Sequence, residues 1–225
     1  MTVAAADPAE LAVFYRETLD LDTVTPSALP GDPPAYAFAA PPGLVCIRPL
    51  TAMPSGGVHT HFAIQVTPER YDHLIERLSE TEPVVERTFG GNRSLYRHDP
   101  AGHCVEFGER PGLSAPVGPV FEVVLEVTDL ERAVERYSAL GFEPGPLDAD
   151  RQRRRLRGPF DLEVWEPHLG IGDARGGCHV DLGLTVSDPE AAARWLAPID
   201  RAPTYRESRW FVRDIDGHTW WLSSP

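Results

Sequence analysis

Four stretches of the chain repeat one pattern of apolar and polar positions: "MTVAAADPAELAVFYRETLDL", "HFAIQVTPERYDHLIERLSE", "EVVLEVTDLERAVERYSALGF" and "DLGLTVSDPEAAARWLAPI". Each opens with a short alternating run, passes a turn bearing Asp, Thr or Pro, and goes on with apolar residues at helical spacing. In the third, Val123, Leu125 and Val127 share one face of a strand of period two, and Ala133, Tyr137 and Leu140 follow at helical intervals. Asp129 stands between them at the N-cap, where a carboxylate accepts from the first unpaired helical N–H groups, and Gly141 stands just past the helix end. Asp7, Asp188 and the pair Thr67–Pro68 take the capping place in the other stretches. Each helix is followed by room for roughly three more strands, such as "AYAFAA" and "LVCIRPL" in the first. The pattern therefore predicts an α+β chain in which a βαβββ unit of roughly 55 residues is used four times. The second and fourth units also end alike, "RHDPAGHCVEF" beside "VRDIDGHTWWL". Between Gly108 and Pro119 the Pro- and Gly-rich "GERPGLSAPVGP" reads as a linker. Two domains are expected: residues 1–110 (units one and two) and 119–225 (units three and four), joined by 111–118.

Composition narrows the function. The chain has 225 residues, 42% hydrophobic and 24% charged, with a formal net charge of −13 and a pI of about 5.0. Such a charge disfavours nucleic acid and anionic membrane as partners. Every cation is Arg, so no lysine Schiff base or lysine general base is available. Cys46, Cys104 and Cys178 form no CxxC motif and no even framework, which fits a reduced, cytoplasmic setting. No signal peptide and no run long enough to cross a bilayer is visible.

The chemistry concentrates at residues 94–109, "SLYRHDPAGHCVEFGE", where Glu106 sits among Cys104, Val105 and Phe107. A carboxylate buried in a strand needs a cation, a metal or an arginine beside it. The four βαβββ units, Phe14–Tyr15 in the first helix, and Asp-Pro-x-Gly-His-x-x-Glu at 99–106 resemble the vicinal oxygen chelate superfamily. That group includes glyoxalase I, bleomycin-resistance proteins, fosfomycin-resistance thiol transferases and extradiol dioxygenases. The resemblance implies two cupped mixed β-sheets with helices packed outside, each cup made by two adjacent units, with ligands on the first and last strands of units. On this chain it places metal ligands at His61 and Glu106, with His59 in reserve at the strand's edge. The ion would be divalent (Zn, Mn, Ni or Fe), and Glu106 would double as the catalytic proton shuttle. The family's further ligand, from unit one, falls one residue before Met1: either the true start lies upstream or that ligand is lost, and a partner chain or the substrate could supply more. Thr2, Ser94 and Tyr96 correspond to positions that contact a substrate oxygen, although the lysine and the longer potassium-binding loop of the thiol transferases are missing.

In the second cup the corresponding positions hold Glu122, Glu163, Asp181 and Trp221; the three carboxylates could hold a hard cation such as Mg²⁺ or Ca²⁺ but are read as partners for arginines, and Trp221 as pocket lining or core. "RQRRRLR" at 151–157 is read as a solvated edge strand. The implied function is a metal-dependent lyase, isomerase or thiol transferase acting on a small oxygen-rich molecule, monomeric or as a homodimer. The alternative is a metal-free protein that sequesters a cationic drug, favoured by the acidic charge and by Trp195, Trp210, Trp220 and Trp221.

Overall fold

The structure, a computed structural model, describes residues 1–21, 23, 36–40, 43–49, 59–80, 83–148, 152–166, 180–206 and 208–225, with the side chains of residues 59 and 60 left aside. Unit one comprises β1 (Thr2–Ala5), α1 (Pro8–Leu19), β2 (Tyr36–Ala40) and β3 (Gly43–Pro49), with Thr23 making an isolated bridge to Phe38. Unit two comprises β4 (His59–Val66), α2 (Pro68–Ser79), β5 (Val85–Phe89), β6 (Asn92–His98) and β7 (Cys104–Glu109). Unit three comprises β8 (Val117–Glu126), α3 (Leu130–Ser138), β9 (Glu143–Asp148), β10 (Arg153–Arg157) and β11 (Asp161–Trp165). Unit four comprises β12 (Val180–Thr185), α4 (Pro189–Leu196), β13 (Thr204–Arg206), β14 (Arg209–Arg213) and β15 (Thr219–Ser223). All four helices start where the pattern predicts. The side chains of Asp7, Thr67, Asp129 and Asp188 each accept from backbone N–H groups of the first turn, and Pro8, Pro68 and Pro189 follow three of them. Among the described residues no helix is long and apolar enough to cross a membrane.

Two mixed sheets result, and they do not follow the two halves of the chain. The eight-stranded sheet has the order β5-β6-β7-β4-β8-β11-β10-β9, and the seven-stranded sheet β13-β14-β15-β12-β1-β3-β2. Unit two therefore shares a sheet with unit three, and unit one with unit four, which corrects the expected pairing of one with two and three with four. Local geometry explains the outcome. β4 and β7 run parallel and finish at the same end, so residues 110–116 need only step over one strand to start β8 antiparallel beside β4. Backbone bonds from Arg110 N to the Val66 carbonyl (2.8 Å) and from Thr67 N to the Pro116 carbonyl (3.0 Å) fasten that step. The Pro- and Gly-rich stretch thus works inside one sheet.

The halves are instead held by helices and turns. The helices pack on the faces of the sheets away from the cups, and one continuous core joins both sheets and all four helices. At its centre the Tyr15 hydroxyl donates to Asp99 (2.8 Å), tying α1 to the β6–β7 turn of unit two. The Tyr137 hydroxyl donates to Asp214 (2.8 Å), tying α3 to the matching turn of unit four. Each Asp also accepts from the backbone N–H groups two and four residues on, and Gly102 (φ 87°) and Gly217 (φ 91°) make the left-handed bend that closes each turn. His103 is consumed by Asp99, and Trp220 by Asp214. Removing either phenol leaves a buried carboxylate one donor short. Tyr15→Phe and Tyr137→Phe are each expected to lower stability by about 1–3 kcal/mol in urea unfolding. A change below about 0.3 kcal/mol in both would show that these ties do not hold the halves together.

Candidate metal centre

Ala63 lies at the middle of the site. Across β4–β7 it faces Glu106, and across β4–β8 it faces Glu122, while His61 stands two residues back on the same face. Because Ala63 ends at its methyl group, the two carboxylates can close over it and reach the imidazole. His61 Nε2 lies 3.2 Å from Glu106 Oε2 and 3.5 Å from Glu122 Oε1, and all three residues are only 4% exposed. The second oxygen of each carboxylate has its own partner: Ser94 Oγ donates to Glu106 Oε1 at 2.6 Å, and Arg155 Nη2 lies 2.6 Å from Glu122 Oε2. Tyr96, directly across from Glu106, meets the His61 ring edge-to-face at 5.5 Å, and Trp165 meets it at 6.1 Å. The imidazole is therefore fixed in plane as well as in place. Glu163, on β11, is equally buried and is held by Arg153 (3.1 Å) and by Arg155 at 3.8 Å. The group forms the floor of a cavity of about 810 Å³ in the eight-stranded cup.

The charges act on one another strongly. Burial alone would lower the pKa of His61, but its bonds to Glu106 and Glu122 outweigh burial and raise it to about 9. Burial would raise Glu106, yet His61, Ser94 and Tyr96 hold it below the ordinary carboxylate value. Glu163 is pushed up, first by burial and then by Glu122, against the pull of Arg153 and Arg155. Burial, followed by the charge of Glu106, moves the Tyr96 phenol far above its usual value, so that it keeps its proton.

Several expectations are changed by this geometry. Among the described residues the third candidate donor beside His61 and Glu106 is Glu122, from unit three. Sequence reasoning found Glu122 but assigned it to a different cup, because nothing local shows which first strands become neighbours. Ser94 and Tyr96 lie in the cavity lining with His61, whereas Thr2 lies in the other sheet, opposite Cys46 and Asp181. "RQRRRLR" is no edge strand: β10 is paired on both sides, and Arg153 and Arg155 point their charges at the site's carboxylates. In the seven-stranded sheet Asp181 is tied to Arg48 (2.9 Å), and Trp221 packs on Phe211 with ring centroids 4.7 Å apart. Trp220 fills the core, while Trp195 is about half exposed beneath Arg136. The side chain of His59, and Cys178, lie outside the described residues.

Solved structures show the same architecture. A Bacillus subtilis protein classed provisionally with the dioxygenases superposes with a TM-score of 0.70 at 16% identity, over 100% of this chain and 83% of that one. Glyoxalase I from Zea mays superposes with a TM-score of 0.69 at 18% identity, over 99% of this chain and 90% of that one. The chain has the vicinal oxygen chelate fold. No protein-family model and no curated protein matches the sequence.

Within that fold, the donor set suits a divalent ion. One imidazole nitrogen and two carboxylate oxygens lie within 4.8 Å of one another, the mixed N/O set that first-row divalent metals accept. Ser94 and Arg155 already hold the outer oxygens, as partners behind metal ligands do. Glu163, turned to the arginines, is not part of the cluster.

In metal-free protein the proton on His61 is itself stabilising. Because the folded pKa is the higher one, this contribution is complete below about pH 6.5, the ordinary histidine value, and disappears as pH rises through about 9. An NMR titration of metal-free protein, with His61→Gln to assign the resonance, is expected to show His61 titrating near 9. A midpoint at or below the ordinary value would mean that Glu106 and Glu122 do not act on it.

Proposed function

We propose that the chain is a metal-dependent enzyme, a lyase, isomerase or transferase, that converts a small oxygen-rich molecule bound in the eight-stranded cup. The observation that carries this reading is the convergence of His61, Glu106 and Glu122 on one buried point at the floor of a large cavity. A divalent ion held there would supply Lewis-acid stabilisation of negative charge developing on a substrate oxygen.

The chain's own residues do the rest. Ser94 fixes Oε1 of Glu106 and leaves Oε2 turned to His61 at the cavity floor, so Glu106 is the group placed to take and return a proton. Arg155 faces the outer oxygen of Glu122 as an ion pair. The Tyr96 hydroxyl, kept protonated, bonds Glu106 and helps to fix that carboxylate beside the substrate space. Trp165 and Phe121 give the cavity apolar walls that limit water.

A second reading, a metal-free binding protein, has one observation in its favour. The floor's charges are compensated without an ion, since His61 bridges two carboxylates and Arg153 and Arg155 take Glu163 and Glu122. Metal content separates the two. Purified protein incubated at pH 8 with Mn²⁺, Ni²⁺, Zn²⁺ and Fe²⁺ in turn, then desalted, is expected to retain about one ion per chain of at least one metal. His61→Ala and Glu122→Gln are each expected to lower the affinity by at least tenfold, about 1.4 kcal/mol. Retention of no metal by the wild-type protein would reject the enzyme reading and leave the binding one.

A further inference from the structure

The cavity lining carries six arginines against five acids, in a chain whose net charge is −13. The six are not alike. Arg93, Arg153 and Arg155 are all committed to carboxylates. Arg87, Arg110 and Arg157 are exposed, and no acid lies within ion-pair distance of them among the described residues; Asp161 acts on Arg157 only at longer range.

Strand register gathers these three at one end of the cup. Arg155 is level with Glu163 and His61, and Arg157, one step along the same face of β10, is level with Asp161 and Glu122. On the opposite wall Arg87 is level with Ser94 and Gly108, two residues beyond the row that holds Tyr96 and Glu106. Arg110 continues past Gly108. Two strand residues span about 7 Å, so the free cations begin level with the carboxylate floor and extend about one small molecule's length from it. Between them apolar side chains stand beside the polar Gln65, Asn92 and Ser94. Val85 and Phe89 flank Arg87 on the cup face of β5 and are 45% and 51% exposed. Phe121 lies so closely over Gly108 that a Cβ there would come within 2.9 Å of its ring.

We infer that this end of the cup is an anion subsite, and that the ligand is an organic acid with an apolar or aromatic body, its carboxylate or phosphate drawn there by the positive charge of Arg87, Arg110 and Arg157. This rests on the reading of the cavity as the substrate site and adds the substrate's charge class. Arginine's planar fork suits both acid groups. The same arginines disfavour a cationic drug in this cup, whatever the charge of the chain as a whole.

The test uses full-length, metal-free protein and three probes in titration calorimetry: phenyl phosphate, 4-phenylbutyrate, and benzyltrimethylammonium as the cationic control. The triple variant Arg87→Gln/Arg110→Gln/Arg157→Gln is compared with Arg16→Gln/Arg132→Gln/Arg206→Gln, which removes the same charge from other exposed positions. The expected result is binding of at least one anion by the wild-type protein, weakened at least tenfold in the cup triple and by less than twofold in the control triple. Whichever anion binds more tightly identifies the acid group. Equal weakening in both triples, no anion binding at millimolar concentration, or tighter binding of the cation would overturn the inference. Metal retention is measured on the same samples. Loss of metal binding with anion binding intact would fail the Lewis-acid reading alone.

Discussion

The antiparallel pairing of β4 with β8 is the constraint on which the site depends. It is the contact that sets His61 and Glu106, from unit two, beside Glu122, from unit three. The pairing carries register shifts near His61 and Ala63, so contacts other than regular backbone bonding must fix it. Phe62, Ile64 and Val66 supply them, pointing away from the cup into the core with no exposed surface. Sliding β4 by one residue would turn them into the cup and bury His61 among apolar side chains. Burial of each large side chain is worth about 1.5–3 kcal/mol, so the hydrophobic face of β4 holds the polar face in register. The geometry of the candidate centre is in this sense a product of the core behind it.

Placing three carboxylates in so dry a floor is costly unless each is answered, because an isolated buried charge is far more expensive than a paired one. The structure answers them from two directions. Glu106 is satisfied locally by Ser94 and His61, whereas Glu122 and Glu163 depend on Arg153 and Arg155, reaching in from β10. The side chain of Arg155 is 48% exposed, so its pairs are screened and can yield. A divalent ion held there would therefore meet one outer oxygen, on Glu106, anchored by the buried Ser94, and another, on Glu122, whose partner can yield. That combination suits a floor able to exchange one positive charge for another.

Much of the fold was legible in the chain because its rules are local. Capping by Asp7, Thr67, Asp129 and Asp188 depends on a few neighbouring residues, and so does the period-two alternation that gives His61 and Glu106 cup-facing positions. What could not be read was adjacency. Alternation says which residues share a face of one strand, but not which strand lies beside it, and Glu122 became a third donor only through a neighbour chosen over a long range. Thr2 was placed near Ser94 and Tyr96 on the same assumption, that units adjacent in sequence form one cup, and it belongs to the other sheet for the same reason. The arginines of β10 were misplaced differently. A charged run looks like a solvated edge when its partners are out of sight, and the partners here, Glu122 and Glu163, are themselves buried.

The two sheets also explain why the motif that identifies this fold says little about its chemistry. Asp99 and Asp214 sit in identical turns, each closed by a glycine and each accepting a buried tyrosine hydroxyl from another unit. The turn thus ties two units together both in the sheet that offers metal donors and in the sheet that does not. The residues that would carry chemistry vary independently on the faces of the strands. Glu106 in one sheet corresponds to Trp221 in the other, and Asp181, tied to Arg48, stands at the strand position that His61 takes in the first sheet. A strand's cup-facing positions can be exchanged without disturbing its core-facing ones, since the two alternate and pack against different surroundings. The turn and the core preserve the architecture, and only the cup-facing residues of β4, β7, β8 and β10 define what this particular cup can bind.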